Sequence, residues 1–381
     1  MKYRKFRDGA QVSQVGLGCM RLPIVDGDTA HIDEKKAEEM VLYAVENGVN
    51  YFDSAYAYHG KMSEKFVGKV VKNNNLRDKV YLATKSPTWL VREHNTYYTL
   101  FEEQLDNLQT DYVDFYLMHS LGAASWRNAL KSDPLPFLDA IKQEGRARRI
   151  GFSFHDNLPA FKQIVDAYDW DFCQIQLNYM DENYQAGMKG LAYAAQKGLP
   201  VVVMEPLKGG QLASILTPQM QQILDENSVS LSLAGLGLKY LFDKPEVGCV
   251  LSGASNLAQL KENIEMASSA DVGELRENEK KVIEELKAFY NARTKVPCTG
   301  CLYCIDDCPQ RIPINSIFSM YNNMYIYDNP ESSRVQFAMN VPDKRRPSAC
   351  QDCGICEEKC PQGIAVRREL KIAQERLEVK E

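Results

Sequence analysis

Residues 46–73 read ENGVNYFDSAYAYHGKMSEKFVGKVVKN and contain one complete strand-and-helix unit. The short, mostly apolar run Val49–Ser54 is typical of a strand that is covered on both faces, and Ser63–Asn73 has the spacing of an amphipathic helix. Gly48 stands where the preceding helical pattern ends, a position that favours a residue able to adopt positive φ. The segment predicts one unit of a parallel α/β fold.

The same alternation extends in both directions and covers residues 1–270. The predicted strands are Val15–Met20, Val49–Ser54, Val80–Lys85, Val113–His119, Arg149–Phe154, Phe172–Asn178, Pro200–Glu205 and Gly248–Ser252. The predicted helices are Asp33–Asn47, Ser63–Asn73, Asn95–Leu108, Pro134–Glu144, Leu158–Tyr168, Gln185–Lys197, Ser230–Phe242 and Asn256–Ala267. Eight such units in succession predict a (β/α)8 TIM barrel.

A doubly wound dinucleotide-binding fold is the alternative α/β architecture. Its fingerprint places three glycines between the first strand and the helix that follows. Here the segment Gly16–Arg21 has only two glycines, and the next helical pattern begins near Asp33. The two short runs around Asp8-Gly9 instead predict a hairpin able to plug the floor of a barrel. The barrel is therefore the preferred prediction.

Four residues able to do chemistry fall at or after the ends of predicted strands. They are Asp53 after strand 2, Tyr58 in the loop that follows, Lys85 ending strand 3 and His119 ending strand 4. Because catalytic groups of such barrels lie at the C-terminal ends of the strands, we expect these side chains on one rim. A buried structural ion pair is the other reading of the aspartate and the lysine. By position alone, Tyr51 and Tyr56 are as plausible as the tyrosine at 58.

This part of the chain, roughly residues 3–268, resembles the aldo-keto reductases. The matching residues are Asn50–Tyr58, Gly60, Ser63-Glu64, Ala83–Lys85 and Tyr116–Ser120. The resemblance implies a catalytic tetrad of Asp53, Tyr58, Lys85 and His119. In that arrangement Tyr58 donates a proton to the carbonyl oxygen, Lys85 favours the tyrosinate, Asp53 holds the ammonium and His119 orients the carbonyl.

The resemblance also implies NADP(H) or NAD(H) at the same rim. The implied contacts are Gly18, Cys19, Met20, Asp53, Ser153, Gln174, Met204, Leu207, Gly253, Ser255, Gln259 and Asn263. Phe154 stands where the family usually has asparagine, and Met204 stands where it often has a tyrosine that stacks on the nicotinamide. Gly253 and Gln259 replace two basic residues that often bind the 2′-phosphate. Since a phosphate favours charged donors, the preference between NADPH and NADH is left open.

Cysteine is concentrated near the end of the chain, where eight of the 11 cysteines form two copies of the pattern C-x2-C-x2-C-x3-C-P. The copies are Cys298, Cys301, Cys304 and Cys308, and then Cys350, Cys353, Cys356 and Cys360. This run is the signature of bacterial ferredoxins, in which the fourth cysteine ligates the other cluster. It predicts two 4Fe–4S clusters, with Cys360 joining the first run and Cys308 joining the second.

Structural zinc is the alternative, but zinc usually uses paired C-x2-C knuckles with four ligands per ion. The remaining cysteines, Cys19, Cys173 and Cys249, fall on barrel strands and are predicted to be small core residues.

These features predict three regions: residues 1–272 as the barrel, 273–293 as a linker helix, and 294–381 as a small, mainly helical ferredoxin-like domain. A net charge of −6 argues against nucleic acid as a partner. No apolar run approaches the roughly 18 residues of a membrane span, and the start lacks the apolar core of a signal peptide. A cytoplasmic protein is expected, in which reduced thiols are available for metal.

The predicted activity is reduction of an aldehyde or ketone by NAD(P)H, or the reverse oxidation of an alcohol. The expected partners are then a small carbonyl substrate and, for the clusters, an electron-transfer protein. Two alternatives of another class stay open: a nucleotide-binding redox sensor without turnover, and an electron-transfer subunit whose barrel docks a flavoprotein. Substrate loops transfer poorly between barrels, so the sequence does not name the substrate.

Overall fold

The computed structural model describes residues 1–213, 215–298, 300, 304–305, 307–360 and 362–378. The chain forms two compact units. The first consists of Met1–Leu207 with Leu231–Arg276, and the second consists of Lys208–Ser230 with Glu277–Glu381. The domain boundaries predicted at residues 272 and 293 stay predictions.

The strands are β1 (Tyr3–Lys5), β2 (Gln11–Ser13), β3 (Val15–Gly18), β4 (Ile24–Val25), β5 (Asp28–Ile32), β6 (Tyr51–Asp53), β7 (Tyr81–Ser86), β8 (Val113–Leu121), β9 (Ala147–Phe154), β10 (Phe172–Gln176), β11 (Val201–Met204) and β12 (Val247–Ser252). The α-helices are α1 (Glu34–Glu46), α2 (Ser63–Asn73), α3 (His94–Leu108), α4 (Ala123–Leu130), α5 (Pro134–Gln143), α6 (Leu158–Val165), α7 (Gly187–Gln196), α8 (Pro218–Glu226), α9 (Leu233–Phe242), α10 (Leu257–Ser269), α11 (Glu277–Arg293), α12 (Ile314–Ile326), α13 (Pro330–Asn340), α14 (Ile355–Glu358) and α15 (Val366–Leu377).

A closed parallel barrel dominates the first unit. Strands β3 and β6 to β12 each pair with the next barrel strand along the chain, and β12 returns to pair with β3. The predicted (β/α)8 barrel is confirmed, and the doubly wound alternative is excluded because the sheet closes on itself. The register places Gly18 beside Asp53 and Asp53 beside Ala83. The C-terminal ends of β3, β6 and β7 are therefore neighbours on one rim.

The hairpin β1–β2 lies at the floor of this barrel. Its strands pair in antiparallel register, with Tyr3 opposite Ser13. Phe6 enters the apolar cluster inside the barrel, where its ring meets the ring of Phe115 edge-on at 5.5 Å. The predicted plug is therefore present, and it fills the interior with an aromatic side chain.

The structure also contains elements that the sequence patterns did not predict. The hairpin β4–β5 follows β3, α4 follows β8, and α8 follows β11. Some helix ends differ by a few residues from the predicted ones, because a capping residue sets where the helix begins. Helix α9 begins at Leu233 rather than at Ser230, because the side chain of Ser232 accepts a hydrogen bond from the Gly235 N–H at 2.9 Å.

The second unit is helical, as predicted for the C-terminal region. Helices α12, α13 and α15 pack around an apolar core that includes Ile317, Phe318, Phe337 and Leu370. Helix α11 lies where the linker helix was predicted and belongs to the second unit, so its role as a linker stays a prediction. Within the described parts of the chain, no helix combines the length and apolar character needed to cross a membrane.

Candidate active site

The rim of the barrel brings together the four residues predicted as a tetrad. Lys85 lies on β7 with its ammonium fully buried, and it donates three hydrogen bonds. The acceptors are Asp53 Oδ1 at 2.6 Å, the Ser54 carbonyl oxygen at 2.7 Å and the Tyr58 hydroxyl at 3.3 Å. Because an ammonium has three protons, every donor of this buried cation has an acceptor.

At neutral pH the Lys85 side chain is charged and the Tyr58 phenol is protonated. Burial lowers the pKa of Lys85, but the Asp53 carboxylate and the Tyr58 hydroxyl outweigh it, so the net pKa is raised. Burial raises the pKa of Tyr58, and the ammonium of Lys85 opposes this only in part. The lysine favours the tyrosinate as predicted, yet the phenol stays protonated because desolvation of the anion is the larger effect.

His119 completes the group from the end of β8. Its ring centroid lies 6.0 Å from that of Tyr58, and the two rings are nearly perpendicular. Burial lowers the pKa of His119 well below its ordinary value, and the positive charge of Lys85 lowers it further. The imidazole is therefore neutral at pH 7, and a neutral ring carries one N–H that can donate to a carbonyl oxygen.

The neighbouring tyrosines point elsewhere. The Tyr56 hydroxyl donates to the carboxylate of Glu103 at 3.0 Å and accepts from Lys61 at 2.7 Å. Tyr51 lies in the apolar cluster inside the barrel, where its ring packs against Phe115. Of the three tyrosines that the sequence left equivalent, Tyr58 is the one that contacts Lys85.

Residues on β9, β10 and β11 have the donors and acceptors that a nicotinamide carboxamide would need. Ser153 Oγ accepts from the Ser120 N–H at 2.8 Å, which leaves its own proton available to donate. Gln174 Oε1 is buried and has no hydrogen-bond partner among the described residues. Gln174 also contacts Met204, whose sulfur lies 3.7 Å from Nε2. An amide group placed here would donate to Gln174 and accept from Ser153, so these residues fit the implied cofactor.

The loop after β12 is held by its own side chains. Asn263 donates to Ser252 Oγ at 2.8 Å, and Gln259 Oε1 accepts from the Ser255 N–H at 2.9 Å. Gly253 lies beside the side chain of Arg21. Gln259, which replaces a basic residue, thus uses its amide oxygen to close the loop.

The other predicted cofactor contacts lie around the same rim. The Cys19 N–H donates to the Asp53 carbonyl oxygen at 2.8 Å, and a Cβ at Gly18 would lie 3.0 Å from the Ser252 carbonyl oxygen. Met20 is exposed at the barrel mouth, and Leu207 packs on Gly237. Cys19, Cys173 and Cys249 are fully buried, as predicted for small core residues.

Three rim residues were not singled out from the sequence. The Trp89 ring lies 5.2 Å from His119 although 44% of the residue is exposed. His155 follows β9 and bonds to Gln185, and burial lowers its pKa to about 4. Arg21 pairs with Glu205 at 3.2 Å. Each of these residues lies shortly after the end of a predicted strand, and this position was the sequence signal that could have identified it as a rim residue.

Six of the described cysteines of the second unit belong to or pack against one apolar core. Cys356 is buried in it, and Cys298, Cys304, Cys308, Cys350 and Cys360 pack against it, whereas Cys353 is exposed. Cys301 lies outside the described residues. Burial, with smaller contributions from nearby Glu357, Cys350 and Cys308, raises the pKa of Cys356 to about 11. Cys308 and Cys350 pack against the same core, and the cross-ligation by Cys308 stays a prediction.

Cysteines against an apolar core fit a low-polarity cluster site. Among the described residues, no three cysteine, histidine or carboxylate side chains converge on a point as the ligands of a single metal ion do.

Comparison with known protein families gives two matches. The aldo/keto reductase family matches residues 14–286, and the 4Fe-4S dicluster domain matches residues 297–365.

Individual relatives agree with the first of these matches. The chain is 29% identical to L-galactose dehydrogenase of Arabidopsis thaliana over 282 residues, which cover 67% of this chain and 84% of the relative. An aldo-keto reductase from Bacillus halodurans in its holo form is 26% identical with a TM-score of 0.60, covering 75% of this chain and 96% of that one. One from Klebsiella pneumoniae in complex with NADPH shares the fold at 22% identity and a TM-score of 0.61, covering 75% and 95%.

The buried ion pair leads to a prediction on stability. Lys85→Met leaves the Asp53 carboxylate buried without its cation, so the free energy of unfolding should fall by about 3–5 kcal/mol. Adding Asp53→Asn to that variant removes the unpaired charge and should recover part of the loss. Thermal unfolding followed by circular dichroism would measure both.

Lys142→Met is the matched control, because Lys142 pairs with Asp171 at the same 2.6 Å but is partly exposed. It should cost no more than about 1 kcal/mol. Equal losses of unfolding free energy for the two lysine variants would show that burial does not increase the effect of breaking the Lys85–Asp53 pair.

Proposed function

Since the chain belongs to the aldo/keto reductase family, we propose that it reduces an aldehyde or ketone with NAD(P)H, or oxidises the corresponding alcohol. One observation carries this proposal: the Tyr58 hydroxyl lies 3.3 Å from the buried ammonium of Lys85, and that ammonium is paired with Asp53 at 2.6 Å. A barrel that only binds nucleotide has no use for a phenol held against a buried cation. The arrangement therefore favours turnover over the sensor and electron-transfer alternatives.

The proposed chemistry needs a proton donor and an oxyanion stabiliser. When bound, the reduced nicotinamide supplies a hydride for the carbonyl carbon, which leaves negative charge on the oxygen. Tyr58 gives its proton to that oxygen, and the resulting tyrosinate is stabilised by Lys85. The neutral His119 donates its N–H to the same oxygen and so orients the carbonyl. In the reverse direction, Tyr58 accepts the proton of the alcohol.

The protonation states support reduction near neutral pH. The pKa of Tyr58 is raised by burial, so the phenol is in its acid form at pH 7. Since reduction needs that form, its rate should decline only as the solution becomes alkaline. Oxidation of an alcohol needs the tyrosinate and should accelerate over the same alkaline range.

For the dinucleotide, we propose that Ser153 and Gln174 hold the carboxamide and that the loop of Gly253, Ser255, Gln259 and Asn263 holds the adenosine end. Gly18, Cys19, Met20, Asp53, Met204 and Leu207 complete the contacts carried over from the family. Lys261, a basic residue near that loop, has its ammonium 5.1 Å from the Tyr43 ring centroid. A 2′-phosphate would therefore meet few available cations.

For the second unit, we propose two 4Fe–4S clusters ligated by Cys298, Cys301, Cys304 and Cys360, and by Cys350, Cys353, Cys356 and Cys308. A nicotinamide exchanges two electrons as hydride, whereas a cluster ordinarily takes one. The clusters are therefore not obligatory for carbonyl reduction, and they stabilise the second unit or exchange electrons with a partner protein. A cytoplasmic location, where thiols stay reduced, belongs to the same proposal.

Tyr58→Phe should reduce the rate of carbonyl reduction by about 10²–10⁴-fold, because it removes the proton donor. The dissociation constant for NADPH should change little. Steady-state reduction of methylglyoxal and fluorescence titration of the nucleotide would measure the two effects. Tyr56→Phe is the control, since its hydroxyl contacts Glu103 and Lys61 instead. Greater loss in the control than at position 58 would refute the assignment of the acid.

The preference for NADPH over NADH should be modest, below about a thousandfold. Gln259→Arg should tighten NADPH binding by roughly 10–100-fold, since a charge-assisted hydrogen bond is worth about 1.5–3 kcal/mol. Dissociation constants for both nucleotides would show this. Gln163→Arg, an exposed position on α6, is the control and should leave them unchanged. An unmodified protein with a larger NADPH preference would reveal another cationic site.

Protein prepared without oxygen should contain about eight iron and about eight labile sulfide per chain, as two clusters of four require. Cys360→Ser should alter the electron paramagnetic resonance signal of the cluster on the Cys298 run and spare the other. Turnover with NADPH should persist. Cys173→Ala, a barrel cysteine, should leave the iron content unchanged. Zinc in place of iron would contradict the prediction.

A further inference from the structure

The backbone that follows Tyr58 is unusual. His59, Gly60 and Lys61 have φ values of 51°, 58° and 73°, so three successive residues are left-handed. Such a conformation is disfavoured for a residue with a side chain. Strained backbone of this kind persists where neighbouring structure holds it.

The side chain of His59 provides one such restraint. The residue is 8% exposed, and its Nδ1 lies 2.7 Å from the Thr29 carbonyl oxygen on β5. A carbonyl oxygen only accepts, so Nδ1 carries the proton. Gly60 packs against Ala30 of the same strand, with a methyl-sized position 3.0 Å from the Ala30 side chain. The left-handed turn is thus fastened to the hairpin β4–β5.

The second ring nitrogen of His59 is buried as well. His59 Nε2 is buried without a hydrogen-bond partner among the described residues. Burial lowers the pKa of His59, and the carbonyl groups of Thr29 and Cys19 oppose this only in part. The neutral ring therefore has one N–H, which donates to the Thr29 carbonyl oxygen.

The turn is short, so its conformation controls the direction of Tyr58. The Tyr58 N–H donates to the Ala55 carbonyl at 3.1 Å, and the Met62 N–H donates to the His59 carbonyl at 3.0 Å. The left-handed residues lie between these two hydrogen bonds and directly follow Tyr58. Its distance to Lys85, 3.3 Å, is at the long end of a hydrogen bond and leaves little tolerance.

We propose that His59 is a positioning residue: its Nδ1–H holds the left-handed turn against Thr29 and so keeps the Tyr58 phenol on Lys85. This role rests on the proposed carbonyl reduction, in which Tyr58 is the acid. His59 itself contacts neither substrate nor nucleotide in this scheme.

The test compares His59→Phe with His59→Asn in the full-length, cluster-loaded protein. Phenylalanine keeps the ring volume but cannot donate and disfavours positive φ. Asparagine tolerates positive φ and can donate an N–H. With methylglyoxal and NADPH, His59→Phe should lower kcat by about 10–100-fold, as expected for a misplaced catalytic group. KM and the dissociation constant for NADPH should change less than about threefold, and His59→Asn should recover most of kcat.

His94→Phe is the matched control, because His94 Nδ1 also bonds to a backbone carbonyl, that of Asp133 at 2.8 Å, on helix α3. Its kcat should equal that of the unmodified protein. If Tyr58→Phe is inactive while His59→Phe keeps its kcat, or loses only thermal stability, the positioning role is wrong.

A crystal structure of His59→Phe separates this inference from the proposed function. The distance from Tyr58 Oη to Lys85 Nζ should lengthen beyond hydrogen-bond range in the variant. That result would support the positioning role even if no carbonyl compound is reduced. An unchanged distance would overturn it.

Discussion

The buried ammonium of Lys85 is the constraint on which the rim depends. An unpaired charge at that depth would cost several kcal/mol, so the surrounding chain has to supply an acceptor for each of its three protons. The acceptors come from the end of β6 and from the turn beyond it. Parallel pairing of β6 with β7 brings Asp53 alongside Ala83, two residues before the lysine. Barrel closure and the ion pair therefore support one another.

The same burial sets the chemical character of the neighbouring groups. Desolvation penalises each charged form, so it raises the pKa of Tyr58 and lowers that of His119. The positive charge of Lys85 opposes the increase in the pKa of Tyr58 and adds to the decrease in the pKa of His119. The result is a protonated phenol beside a neutral imidazole, which is the pair of donors that a developing alkoxide needs. One buried cation thus adjusts both groups.

The candidate site of the second unit is built differently from that of the barrel. Its helices form an apolar core, and most of the described cysteines pack against that core. Low polarity around thiolates suits a metal cluster whose charge is spread over several atoms. Exposure of Cys353 leaves one predicted ligand at the surface. The proposed hydride chemistry and the proposed clusters therefore involve separate sets of residues.

Local patterns in the sequence were enough to predict the barrel, the floor hairpin, the helical C-terminal region and the strand ends that carry Asp53, Lys85 and His119. The reason is that apolar periodicity and motif spacing are local properties, and parallel strands always end on the same rim. Periodicity did not predict α4, α8 or the hairpin β4–β5. It also could not distinguish Tyr58 from Tyr51 and Tyr56, since all three share one short segment. The family resemblance pointed to Tyr58, and the tertiary structure shows its hydroxyl in contact with Lys85. Only the tertiary structure decided that burial outweighs the lysine in the pKa of Tyr58 and that His59 contacts Thr29. Each of these features depends on desolvation or on contact between residues distant in the chain. Local sequence patterns predict neither desolvation nor such contacts.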